Sequence, residues 1–168
     1  LSLKMNADLG SDMRLVRRYD EARVQLEKTI EMDPNYGLAH FYLGVLYNDK
    51  GMYKEAVSEC QKGIDLTGGL SWAYGHLGYA YAMLGQKDEA EKILHDLETR
   101  SKEEYVRATS FSSIYNALGE INKCFECLEK AMEERDPIMA YIKVLPDFDI
   151  FRSDPRFQAL LQRMNLDK

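Results

Sequence analysis

Cys124 and Cys127 stand at C-x-x-C spacing, which can hold a redox-active dithiol or half of a zinc site. Such a dithiol follows a strand and sits at a helix N-terminus that lowers one thiol pKa, and a structural zinc needs two further ligands. Here apolar residues at helical spacing run through the pair, and Cys60, far upstream, is the only other cysteine. The pair therefore reads as small packing residues, with oxidant sensing and metal binding as the lesser alternatives. Asp147, Asp149 and Asp154 echo the start of a calcium loop, but the glycine and the closing glutamate that such a loop requires are missing. Turn and cap duties account for these carboxylates. His40, His76 and His95 have no serine or cysteine at a spacing that would make a nucleophile–base pair, and His40 reads as a packing residue. Arg14, Arg17 and Arg18 lie beside Asp12, Asp20 and Glu21, as in a solvated helix end laced with local ion pairs, with contact to an anionic partner as the alternative. No glycine-rich phosphate loop occurs. These residues assemble no catalytic site and call for no cofactor and no metal, so an enzyme is not expected.

Composition narrows the field further. The chain has 168 residues, 45% hydrophobic and 30% charged, enough apolar side chain to bury a core. No apolar run reaches the roughly 18 residues that a membrane span requires. Lys and Arg total 22 against 28 Asp and Glu, a net charge of -6 that disfavours nucleic acid as the main ligand. Three cysteines make no disulfide framework and no signal segment opens the chain, so the expected setting is cytoplasmic.

The elements that must carry these side chains follow from an internal repeat of 34 residues. At that displacement Leu9-Gly10, Leu43-Gly44, Leu77-Gly78 and Phe111-Ser112 coincide. So do Tyr47, Tyr81 and Tyr115, with Met13 in the first copy, and Gly51, Gly85 and Gly119, with Arg17 in the first copy. Ala22, Ala56, Ala90 and Cys124 form a further column. Four ungapped units result, 3–36, 37–70, 71–104 and 105–138. Each has apolar residues at three- and four-residue spacing, a glycine where the chain leaves the helix, and a second helical pattern ended by Pro or Gly. Gly44, Gly78 and Ser112 are expected to let the facing helix approach closely, and Gly78→Leu to overpack that contact by roughly 1–3 kcal/mol. Residues 139–168 leave the period. They predict a short apolar helix over 139–144, a break at Pro146, and a last helix capped by Asp154-Pro155 that buries Phe157, Leu160, Leu161 and Met164 against the open end of the stack.

The pattern Leu77-Gly78-x-x-Tyr81, Gly85, Ala90, Leu94, with Asp33-Pro34 closing the first unit, resembles the tetratricopeptide repeat family. Departures are local: His40, Tyr74 and Ala108 at the aromatic near the start of the first helix, Arg17 for the turn glycine, and Ser112 and Cys124 in the fourth unit. The resemblance implies an all-α, right-handed superhelical solenoid of four helix-turn-helix units with a C-terminal helical cap over 139–168. The run Arg152-Ser153-Asp154-Pro155-Arg156-Phe157 resembles the C-terminal end of prokaryotic multi-domain members, and a chain opening at Leu1 suits a fragment of that kind.

By the same resemblance, the first helix of each unit lines a concave face. That face carries Leu38, Phe41, Val45 and Asn48 in the second unit, Trp72, Tyr79 and Met83 in the third, and Thr109, Ser113 and Asn116 in the fourth. Aromatic anchors beside amides suit a groove for a peptide or protein segment, with Phe41, Trp72 and Tyr79 as anchors and Asn48 and Asn116 addressing the peptide backbone. The basic clamp with which chaperone-binding members hold a C-terminal carboxylate is not matched, since Ala7, Ser11, Val45 and Trp72 occupy that stripe. The alternative is that Phe41 and Trp72 fill space between repeats. The expected function is a non-catalytic protein-interaction scaffold. A self-association module forming a homo-oligomer, or a regulatory C-terminal domain of a larger signalling or transcription protein, stays open beside it.

Overall fold

In the computed structural model, which describes residues 2–167, each turn column of the repeat lands between two helices. The pairs are α1 (Leu3–Leu15) with α2 (Tyr19–Met32), α3 (Gly37–Asp49) with α4 (Tyr53–Thr67), α5 (Ala73–Met83) with α6 (Lys87–Arg100), and α7 (Ala108–Ala117) with α8 (Ile121–Glu133). Two 3-10 helices, Pro137–Tyr141 and Pro146–Phe151, lead to α9 (Pro155–Arg163). The described residues contain no strand, so the fold is an all-α repeat solenoid.

Each second helix packs on its own first helix and each first helix on the next, so every unit buries its apolar face only against neighbours. Ala7, Ala22, Leu26, Ala39, Leu43 and Leu46 form the core between the first two pairs. Phe41, Val45, Cys60, Ile64, Ala73 and Leu77 form the next. The close approach expected at the small-residue column is present: a Cβ on Gly44 would lie 2.5 Å from Cys60 Sγ and 2.8 Å from the Cys60 backbone nitrogen.

At the turns, Gly51 has φ +71, and the Met52 N–H reaches back to the Tyr47 carbonyl at 2.9 Å. The first unit makes the same turn without glycine. Arg17 has φ +64, and the Arg18 N–H bonds the Met13 carbonyl at 2.9 Å. A non-glycine residue there costs about 1–2 kcal/mol, so something else must hold Arg17 in place.

The segment after the repeats departs from expectation. Residues 139–144 form no α-helix, because the Asp136 carboxylate accepts the Ile138 N–H and Pro137 opens a 3-10 turn instead. Asp154 caps α9 by accepting the Arg156 N–H at 2.8 Å, and α9 buries Phe157, Leu160 and Leu161, with Met164 half-buried. The connecting stretch does more than cover the end of the stack. Ile142, Leu145, Phe148 and Phe151 join α8 and α9 in one core, and Leu15, from the far end of the array, packs on it. The segment thus returns across the solenoid to touch α1.

Gly44→Val is expected to force Cys60 away and lower stability by about 1–3 kcal/mol, read as a reduced midpoint in urea with an unchanged slope. An unchanged midpoint would mean that the two helices are not held at this separation.

Candidate functional site

The first helices of all four pairs face one cavity of about 320 Å³. Ser11 and Arg14 come from α1; Phe41, Tyr42 and Val45 from α3; Gly75 and His76 from α5, with Trp72 just before it; and Thr109, Ser110 and Ser113 from α7, with Arg107 just before it. The fifth wall is the returning segment, through Ile138, Leu145, Asp147 and Phe148. Phe41 meets Trp72 edge-on, with ring centroids 4.6 Å apart. One side of the cavity is therefore aromatic and aliphatic, and the other carries the hydroxyls of α7.

The floor is ionic. Arg14 donates from Nε to Asp49 Oδ2 at 2.6 Å and from Nη2 to Asp147 Oδ2 at 2.8 Å, and the three side chains are 7%, 4% and 9% exposed. His76 Nδ1 stands 3.6 Å from Asp147 Oδ1 and has no hydrogen-bond partner. One guanidinium thus serves two buried carboxylates, and their titrations diverge. Burial pushes the Asp49 carboxyl up to about 7, Arg14 only partly opposing it and the Asp147 charge adding to the rise. Burial pushes Asp147 up as well, but Arg14 and His76 outweigh it and hold that carboxyl below the usual range. Burial also lowers the His76 pKa, against the pull of Asp147.

A second set of contacts fastens the same segment. Arg17 donates to Asp149 Oδ1 at 2.8 Å and to the Val144 carbonyl at 3.3 Å, and Arg152 closes on Asp149 at 2.6 Å. Asn116 Nδ2 lies 3.4 Å from the Asp147 carbonyl oxygen. Two readings of the sequence are corrected here. Arg14 and Arg17 do not form a solvated end with local pairs; of the three arginines only Arg18 does, with Glu21. Asp147 and Asp149 are not turn residues alone but long-range ion-pair partners, while Asp154 is a cap as expected. The signal was present in the sequence as three arginines at one end and three aspartates at the other, but spacing alone does not connect elements more than a hundred residues apart.

Of the residues expected on the concave face, Phe41, Val45, Trp72, Thr109 and Ser113 line the cavity. Leu38, Asn48, Tyr79, Met83 and Asn116 lie outside it. Asn48 is buried and gives its amide to the His76 carbonyl at 2.9 Å. Tyr79 packs edge-on to Tyr53, burial pushing its phenol up, and Met83 is exposed. Sequence reasoning missed Arg107, Ser110, His76 and the whole returning wall. Elsewhere, Cys124 is buried and Cys127 half-buried, and burial pushes their thiols up to about 12 and about 11, away from the thiolate that redox or metal chemistry needs. His40 is buried as a packing residue would be, but it also meets Glu59 at 2.6 Å and the Pro34 carbonyl at 3.0 Å.

Stacked helix pairs around a shared inner cavity define a helical-repeat solenoid of the kind that offers a surface for other proteins. Residues 26–58 and 70–102 each match a family model described as tetratricopeptide repeat. The chain is a tetratricopeptide repeat protein. No curated protein matches it. Among the described residues, no helix is long and apolar enough to cross a membrane.

The shared guanidinium makes a pH-dependent prediction. A carboxyl raised in the folded state contributes stability at low pH that is lost as pH climbs from about 4 to about 7. Asp147, lowered, works in the opposite sense and is lost only as pH falls below about 4. Asp49→Asn leaves one cation with one anion. It is expected to raise stability at pH 7.5 by about 1–2 kcal/mol and to flatten the thermal midpoint between pH 4 and 7. A lower midpoint at pH 7.5 would show that Asp49 is a net stabilising partner. Arg14→Met, which strands two buried carboxylates, is expected to cost about 3–5 kcal/mol in the same measurement.

Proposed function

We propose that this chain is a protein-docking module in which a partner segment inserts an anchor side chain into the cavity between Trp72 and the returning segment. Tetratricopeptide repeats are in general protein-interaction modules. The observation that carries the reading is that the inner face already grips polypeptide: residues 144–149 lie along it, held by Arg14, Arg17 and Asn116. That occupant is not readily displaced. Leu145, Phe148 and Phe151 are buried, which contributes up to roughly 1.5–3 kcal/mol each. A partner therefore enters beside it, where Phe41, Val45 and Trp72 offer an apolar wall and Thr109 and Ser113 a polar one. In this reading the four units 3–36, 37–70, 71–104 and 105–138 form the scaffold, and 139–168 closes both its end and part of its groove.

The test is selection of displayed random peptides on the immobilised chain. Enriched peptides are expected to bind about tenfold or more weakly to Trp72→Ala and unchanged to Val24→Ser, which alters an exposed residue of α2. Peptides that bind Trp72→Ala as well as the parent would remove the cavity from the reading.

Self-association through the α1–α2 edge has its own observation. Met5 and Leu9 are 55% and 37% exposed, whereas Ala39 and Leu43, at the same repeat positions one unit on, are 0% and 4% exposed because a preceding unit covers them. If a second copy stacks there, light scattering will give a dimer mass that Met5→Glu with Leu9→Glu reduces to the monomer. A parent chain that scatters as a monomer would rule this reading out.

A further inference from the structure

Among the described residues, the cavity's open side has one charged group that makes no hydrogen bond. Arg107, the N-cap residue of α7, stands at the rim with its guanidinium carbon 5.7 Å from the Trp72 ring centroid and its side chain 34% exposed. Within the described residues this guanidinium makes no hydrogen bond. The nearest carboxylate, Asp136, is 3.9 Å away, and both of its oxygens are already engaged, one by the Ile138 N–H at 3.1 Å and the other by the Thr109 hydroxyl at 2.8 Å. The other charges at the cavity, Arg14 and Asp147, are committed to each other on its floor. Ser110, on the hydroxyl wall, lines the cavity and its side chain makes no hydrogen bond either.

We propose that this cavity selects an acidic–aromatic segment of a partner protein, the ring seated between Trp72 and Leu145 and a neighbouring carboxylate held by Arg107. The inference rests on the docking reading above and adds the chemistry of the partner. Arg107 has donors in a planar fork suited to a carboxylate, and partial enclosure by the Trp72 ring makes such a bond worth more than it is in open water. The apolar bed of Phe41, Val45, Trp72, Ile138 and Leu145 suits a ring, and a volume of about 320 Å³ holds one large side chain with its flanking groups. The chain's own occupant of the groove follows the same rule. Asp147-Phe148 sets a carboxylate on Arg14 and the adjoining ring in an apolar core. The open half repeats that chemistry with Arg107 and Trp72, without an occupant among the described residues.

Trp72 is the one tryptophan, so its fluorescence reports the cavity directly. The full chain is titrated with 3-phenylpropionate and, separately, with 3-phenylpropionamide, which has the same shape and no charge. The expected result is saturable quenching by both, about tenfold tighter for the carboxylate. In Arg107→Gln, checked as folded by circular dichroism, the ratio is expected to fall to about one while the amide binds as before. Equal affinities in the parent chain, no saturable response to either probe, or a carboxylate preference that survives Arg107→Gln would each overturn the proposal. The peptide selection keeps the two readings apart. Cavity-dependent peptides without an acidic residue would uphold docking and overturn the acidic–aromatic rule, whereas selected peptides indifferent to Trp72→Ala would remove docking itself.

Discussion

The arrangement of this protein depends on one guanidinium placed where water hardly reaches. Arg14 ends the first helix of the array, and Asp147 belongs to the segment that follows the last pair. Their contact, shared with Asp49 of α3, ties the beginning of the solenoid to its end. Energetically such a pair is a weak stabiliser, since desolvating three charges offsets most of their attraction. Its value is in address. Leu145, Phe148 and Phe151 would be nearly as content in any apolar furrow between helices, but only one position along the inner face lets Asp147 reach Arg14 with both desolvated. Every other location leaves a buried ion unpaired. The apolar residues supply the affinity of the segment for the groove, and the ion pair fixes its register.

Local and long-range requirements conflict openly at Arg17. The turn column asks for glycine, and three of the four turns have it, with φ from +71 to +79. Arg17 accepts the left-handed conformation nonetheless and keeps the same backbone hydrogen bonds. What offsets the strain is at the other end of its side chain, in the Asp149 carboxylate and the Val144 carbonyl. Glycine here would relax the turn and release the segment. The departure from the repeat pattern is thus no erosion of a terminal unit but the place where the repeat gives way to closure.

This separates what the sequence makes legible from what it does not. Helix pairs, turn glycines and close-approach positions are encoded every 34 residues by residue type, so a reading of Leu43, Gly44, Tyr47 and Gly51 recovers α3, its turn and its packing. Phe41, Val45 and Trp72 were legible as inner-face residues because helical spacing groups them on one side of the first helices and the family resemblance turns that side inward. Nothing periodic encodes Asp147 on Arg14. The contact joins residues 133 positions apart, through a segment with no repeat and no regular helix, and its partners look like ordinary surface charges until the fold removes their water. Arg107 was hidden for a related reason. It falls at the repeat position that Ala39 and Ala73 hold in the units before it, both buried between pairs, so the periodic reading assigns the site to packing. In the fourth unit, however, the helix begins one residue later, at Ala108, and Arg107 stands before it as the N-cap with its side chain at the rim beside Trp72.

The same closure decides what kind of binding surface remains. An uninterrupted inner groove of four units could hold an extended peptide along its length, with amides such as Asn48 and Asn116 bonding to the backbone. Here Asn48 is committed to the His76 carbonyl, and Asn116 faces the backbone of the chain's own returning segment. With both Nδ2 groups engaged and Leu145 and Phe148 already seated on the inner face, an extended peptide loses the donors that these two amides would have offered it. What stays accessible is a cavity of about 320 Å³, mixed in character, with an aromatic wall and a hydroxyl wall. On the docking reading proposed above, such a surface would discriminate by the shape of a single side chain and the charge beside it, rather than by sequence read over many residues. In that reading, a solenoid that fills its own groove exchanges a long, permissive interface for a small and selective one.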